Sequence, residues 1–202
     1  MTAISSALVS ALGHRAGVPL GLTVTGAVLA ANGLLLGSQL FFDPRDYSQV
    51  ATGNLHLAHY LVWTVCLVAL SQIYSRLGSL RSGTGSTIPA TVLVLAGAGA
   101  ALDACARFVS AFVTPYLAER QPSLVDSAPD EILLVPLLLT GVLAMLGTAA
   151  LGVSAGRRRV FPRAAAVLLV AGGVAIPVLG PVSNVLLGVA LVWIGVTARS
   201  RR

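Results

Sequence analysis

Residues 132–153 read ILLVPLLLTGVLAMLGTAALGV, twenty-two positions without a single charge. At 1.5 Å rise per residue such a run spans the hydrocarbon core of a bilayer, which takes roughly 20 residues. Its Leu, Ala and Val are continuous and do not alternate with polar residues. A membrane β-barrel instead shows segments of about ten residues with alternating polarity, so the run is a helix. The whole chain repeats the theme. Of 202 residues, 56% are hydrophobic and 10% charged, against roughly 25% charged in soluble domains. A water-soluble fold has no place for this much apolar surface. In lipid every backbone group needs an internal partner, which leaves helices as the spanning element.

Six apolar runs are visible, at about 18–41, 54–75, 89–115, 132–153, 161–178 and 182–198. The last two are separated by Pro177, Gly180 and Pro181, which turn the chain back instead of letting one helix continue. The expectation is a single all-α polytopic transmembrane bundle of six spans over residues 18–198. An N-terminal segment, 1–17, precedes it as a short interfacial or unstructured piece, and a basic tail, 199–202, follows.

The connecting segments set the orientation. All 13 basic residues are arginine. Arg15 precedes the first run, Arg76 and Arg81 follow the second, GRRRVFPR follows the fourth, and ARSRR ends the chain. The segments after the first and third runs carry Asp43, Asp46, Glu119, Asp126, Asp130 and Glu131. Positive and non-positive connections therefore alternate. The positive-inside rule then places both termini in the cytoplasm and the acidic loops outside. The arginine distribution also excludes a nucleic-acid surface despite the net charge of +6. The lipid bilayer is the expected partner, and the Lys-free basic set suits a bacterial cell membrane.

Small residues four apart mark helix-packing faces, because they let backbones approach in lipid. They are Gly33 and Gly37 in the first run, Ala96, Ala100 and Ala104 in the third, and Ala144, Thr148 and Gly152 in the fourth. Cys66 and Cys105 lie within runs and read as small core residues.

The third run holds the exception to apolarity, AGAGAALDACARFVS at 96–110. Asp103 and Arg107 stand four apart and can pair. With Gly99, Ser110 and Thr114 they share one helical face. A charge at the bilayer centre costs at least about 3 kcal/mol, so this face is expected to turn inward. By helical rise Arg107 lies roughly 12 Å, and Asp103 roughly 18 Å, below the outer end. The second run contributes His56, Tyr60, Trp63 and Tyr74 on one face with His59 beside it. The first contributes Thr25, Asn32 and Gln39 at spacing seven. If these stripes converge, they line an outward-facing polar pocket whose candidate members are Asn32, Gln39, His56, His59, Tyr60, Asp103 and Arg107.

No Walker loop, dinucleotide glycine pattern, G-x-S-x-G or aspartate-rich box is present. Neither a catalytic residue, a resident metal nor a cofactor is expected. The H-x-x-H pair at 56–59 lacks an assured third ligand, and His14 lies at the wrong end for a bis-histidine haem. The leading expectation is binding or transport of a small molecule. One alternative is a scaffold with Asp103–Arg107 as a structural clasp, docked on a second membrane protein or another copy of itself. The other is an intramembrane enzyme acting on a lipid or isoprenoid-like substrate.

Overall fold

The computed structural model describes residues 2–80, 85–126, 131–177 and 179–200. Arg81, Asp130, Arg201 and Arg202, used above for orientation, lie outside them. Among the described residues all regular structure is helical. Six long helices are α1 (Thr2–Ala31), α2 (Asn54–Arg76), α3 (Ala90–Arg120), α4 (Glu131–Arg157), α5 (Arg163–Ala175) and α6 (Gly180–Ser200). α1 does not stop at Ala31. It runs through a π-helical segment, Asn32–Gly37, into Ser38–Phe41. The N-terminal segment is thus helix from Thr2 onward, continuous with the first apolar run. Short helices at Tyr47–Ala51 and Pro122–Asp126 lie in the two acidic connections.

Five described segments are long and apolar enough to cross a membrane: Gly17–Leu40, Asn54–Arg76, Ala90–Arg120, Leu138–Arg157 and Gly180–Ser200. This is compatible with an integral membrane protein. The fifth apolar run forms a shorter helix, α5, of 13 residues, because the chain turns at Ile176–Pro177. The outer surfaces are what lipid requires. Val65, Val94 and Val167 are each about two-thirds exposed, and Leu34, Leu35, Phe108, Val153 and Val196 are exposed with them. Apolar side chains displayed all round a bundle are a liability in water and an asset in hydrocarbon.

Each long helix packs on its neighbours in sequence, and α6 returns onto α1, so the six close into a ring. All six contacts are antiparallel, as the register of close approaches shows. Along α1 and α6, Gly33 meets Pro181, Gly26 meets Gly188, and Thr23 and Pro19 meet Gly195. Between α3 and α4, Gly99 meets Ala144 and Gly147 meets Ala96. Between α4 and α5, Thr148 meets Gly173, and Gly152 meets Ala166 and Val170.

Antiparallel closure sorts the charges. One end of the ring, the basic end, gathers Arg76, Arg157, Arg158, Arg159, Arg163 and Arg199. The other, the acidic end, carries Asp43, Asp46, Glu119 and Asp126. There the two short helices are tied together, the Ser48 backbone N–H and Oγ both donating to the Asp126 carboxylate at 2.8 and 2.7 Å. Toward the basic end the interior is solid, filled by Leu22, Leu70, Tyr74, Leu151, Leu169 and Ile194.

The α1–α6 seam has the tightest backbone approach. A Cβ built on Gly188 falls 2.5 Å from the Gly26 carbonyl oxygen and 2.6 Å from the Ala30 nitrogen. Both neighbours are backbone, so neither can yield without moving a helix. Gly188→Val is therefore expected to destabilise the protein by about 1–3 kcal/mol, seen as a fall of roughly 3–10 °C in the thermal midpoint in detergent. Gly17→Ala, where a Cβ meets nothing within 4 Å, serves as the neutral control. Equal midpoints for the two variants would refute closure of the ring at this seam.

Candidate functional site

A cavity of about 440 Å³ opens inside the ring toward the acidic end. Its polar wall is Tyr47, His59, Tyr60, Trp63 and Arg107. Its apolar wall is Leu40, Leu138, Ile176, Pro177 and Pro181, with Gly37, Gly141 and Gly180 between. α2, α3 and α4, the helical extension of α1, the chain's turn from α5 into α6, and the loop helix at Tyr47–Ala51 all contribute.

The charged centre is on α3. Nε of Arg107 donates to Oδ1 of Asp103 at 3.1 Å, and Nη2 lies 3.0 Å from the same oxygen, completing the ion pair. Asp103 is 1% exposed, and its Oδ2 has no hydrogen-bond partner. The guanidinium carbon lies 4.0 Å from the centroid of the Trp63 ring, close enough for a cation–π contact. Small residues make this burial feasible. Ala100, Ala104 and Gly99 on the same helix let α2 and α4 approach and shelter the carboxylate from lipid. The pair stands on one helix, so it does not itself link two spans. The link to α2 is the arginine's face on the tryptophan.

α2 supplies the rest through its i, i+3, i+4, i+7 face. His59 packs edge-on to Trp63 and Tyr60, with ring centroids 5.4 and 5.0 Å apart. Tyr60 and Trp63 are near-parallel at 17°. The Nδ1 of His59 is buried and has no hydrogen-bond partner. Gly37 is required here, since a Cβ on it would lie 2.9 Å from the His59 ring carbon Cε1. His56 is 1% exposed and makes a 2.9 Å hydrogen bond between Nε2 and the Ser110 carbonyl. That contact fastens α2 to α3 beneath the Tyr47 and Tyr60 rings.

The structure therefore brings His59, Tyr60 and Arg107 to the cavity wall. Asp103, His56 and Asn32 are buried behind it, and Gln39 is exposed and away from it. The spacing-seven stripe of the first run holds for Thr25 and Asn32, which are 8% and 3% exposed, and breaks before Gln39. The cause is the π-helical segment between them. Its i→i+5 bonding takes up about one extra residue, so Leu40, not Gln39, comes round to the cavity. Three contributors went unread in the sequence. Tyr47 sits in a loop without periodicity. The apolar wall from α4 and the chain's turn into α6 has no polar residue to signal it. Ser183 and Asn184 on α6 are fully buried polar side chains without hydrogen-bond partners.

Outside the membrane-spanning helices, Asp43 accepts two side-chain hydrogen bonds from Arg45, at 2.9 and 2.6 Å. These bonds draw its carboxyl down to about 2, so this acid stays ionised at any ordinary pH. Among the described residues no group of three or more His, Cys, Asp or Glu side chains is placed to hold a metal ion. No family model matches the chain, and no curated protein or solved structure shows significant similarity to it.

The ion pair gives a direct test. Asp103→Asn leaves Arg107 as an uncompensated charge against Trp63, whereas the double variant Asp103→Asn/Arg107→Gln leaves a neutral pair. Thermal or denaturant unfolding in detergent is expected to show the single variant as the less stable, with a coupling of about 3 kcal/mol. Additive effects would mean that the two groups do not act as a pair.

Proposed function

We propose that the protein is a multi-pass membrane protein of six crossings, with both termini on the cytoplasmic side. In this reading its cavity binds a small amphiphilic molecule bearing a polar or anionic group. The cavity carries the reading: Arg107 at its wall, aromatic and imidazole groups beside it, and apolar side chains opposite. The orientation rests on the charge difference between the two ends of the ring.

The chemistry follows from the donors left over. Of the N–H donors of the guanidinium, the one on Nε goes to Asp103 Oδ1 and Nη2 faces the same oxygen, which leaves Nη1 for a ligand. Asp103 keeps the site neutral when empty, so an entering anion meets a preorganised donor array and not a full unbalanced charge. The His59 and Tyr60 side chains on the cavity wall add polar contacts beside it. Leu40, Leu138 and Ile176 suit an apolar tail. A volume of about 440 Å³ lies within the common range for small-molecule sites.

Toward the basic end Leu22, Leu70, Leu151 and Leu169 are buried, which favours binding over transport through the ring. α2, α3 and the loop helix at Tyr47–Ala51 supply the polar groups, and Leu40 of the α1 extension, α4 and the turn into α6 supply the apolar counter-wall.

Two measurements test this. In a cysteine-free background (Cys66→Ala/Cys105→Ala), Leu138→Cys is expected to react with a charged, impermeant thiosulfonate added outside sealed cells. Arg199→Cys is expected to react only when the cytoplasmic face is opened. Reaction of both from one side would overturn the six-crossing orientation. Native mass spectrometry of the detergent-extracted protein is expected to show a retained small molecule that Arg107→Ala loses. Identical spectra for the two proteins would remove the binding role.

A further inference from the structure

A second site lies at the opposite end of the molecule and faces lipid. Between α4 and α5 a groove of about 780 Å³ is floored by Gly152, Gly156 and Ala166 and walled by Val153, Val167 and Val170. Its mouth at the basic end is formed by Arg157, Arg159 and Arg163. A smaller hollow of about 510 Å³ lies on the other side of Val153 and shares Arg157. We propose that this groove is a binding site for one anionic diacyl phospholipid of the cytoplasmic leaflet, its phosphate on the three arginines and its acyl chains along the valine walls. The proposal rests on the membrane orientation above and is independent of the central cavity.

Three observations carry it. First, the charge is uncompensated. No Asp or Glu occurs in the sequence after Glu131, and neither described salt bridge involves these arginines. Arg158, by contrast, points elsewhere and donates to the Thr87 carbonyl at 3.2 Å. A cluster of arginines at the cytoplasmic boundary of an apolar groove is complementary to an anionic headgroup anchored by its own tails.

Second, Arg159 holds a conformation that disfavours it. Its φ is 55°, the one described non-glycine residue with positive φ. It occupies the C′ position that ends α4. The Arg159 N–H donates to the Gly156 carbonyl at 3.1 Å and the Val160 N–H to the Ala155 carbonyl at 2.9 Å, the paired bonds of a Schellman cap. Glycine is the ordinary occupant there, because a Cβ strains the left-handed backbone. An arginine at this position works against stability and adds a third cation to the mouth, which is the pattern expected of a residue placed for binding.

Third, the groove exists because of residues that leave it empty. Gly152 and Gly156 bring α4 onto Ala166 of α5, which hollows the lipid-facing side above the contact. The N-terminus of α5, at Arg163, opens on the same mouth. Its unpaired N–H groups and helix dipole favour an anion in the same place.

The test uses the full chain in zwitterionic detergent and reads two quantities. One is native mass-spectrometric retention of phosphatidylglycerol against phosphatidylcholine of the same acyl chains. The other is the thermal midpoint with each lipid and with inorganic phosphate. One phosphatidylglycerol is expected to remain bound and to raise the midpoint, while phosphatidylcholine and phosphate do neither. At roughly fivefold per arginine, Arg157→Gln/Arg159→Gln/Arg163→Gln is expected to weaken binding about a hundredfold. Arg159→Gly separates binding from folding. It should match or exceed the wild-type midpoint without anionic lipid, yet bind phosphatidylglycerol about fivefold more weakly. Val167→Trp, which fills the groove and keeps every arginine, should also lose the retained lipid. Undiminished retention in the triple variant would overturn the site. Undiminished retention in Val167→Trp would overturn the groove as the seat of the chains. The lipid readouts come from the α4–α5 groove alone, so failure of the central cavity as a ligand site would leave this result untouched.

Discussion

Helices in hydrocarbon gain nothing from hiding apolar side chains from one another, since lipid tails are equally apolar. They associate where their surfaces fit closely enough for dispersion and polar contacts to exceed those with lipid. The ring depends on this constraint, and its residues show it. Gly26 on Gly188, Gly99 on Ala144, Gly147 on Ala96 and Gly152 on Ala166 place backbone against side-chain stubs or backbone at every seam they occupy. In water a glycine within a helix costs about 1 kcal/mol relative to alanine. Here it lets two helices meet across their full length. Closure of α6 on α1 is the step that turns a row of hairpins into a vessel with an inside.

An inside that lipid cannot reach is what makes Asp103 tenable. The carboxylate is shielded by Ala100, Ala104 and Gly99 on its own helix and neutralised by Arg107 one turn along. The arginine's other face rests on Trp63. Trp63 in turn reaches across to α6, where a Cβ on Gly180 would lie 2.9 Å from its ring. The polar centre is therefore braced by a tryptophan spanning the interior, and the space above it is the cavity.

Much of the fold was legible because the membrane simplifies the reading. Long uncharged runs mark helices, and small residues four apart mark seams. Ala96, Ala144, Thr148 and Gly152 were read as packing positions and stand at helix contacts. The contents of the site were legible only where a polar residue stood out against an apolar run, as Asp103, Arg107, His59 and Tyr60 do. Gln39 went astray because a π-helical segment is invisible to a fixed 100° step. Gly188 was invisible because no small residue stands four away from it, and its pairing with Gly26 and Ala30 exists only once the ring closes. The wall from α4, α5 and α6 was unreadable for a simpler reason, in that leucine facing a cavity and leucine facing lipid look alike in sequence.

The arginines are used in two physically different ways, and the difference follows from where lipid and water meet the ring. Arg107 is desolvated, so it needs Asp103, and the pair can be held only where aromatic rings and small residues surround it. Its remaining donors are few and fixed in direction, which suits recognition of a particular group. In the proposed orientation Arg157, Arg159 and Arg163 sit at the membrane boundary, where no carboxylate is needed. Their charge is additive and tolerant of geometry, which suits a headgroup free to shift while its tails are held. One chain thus carries a preorganised arginine inside and a diffuse cluster outside. The antiparallel ring keeps them at opposite ends, so a ligand bound at one does not compete with a lipid bound at the other.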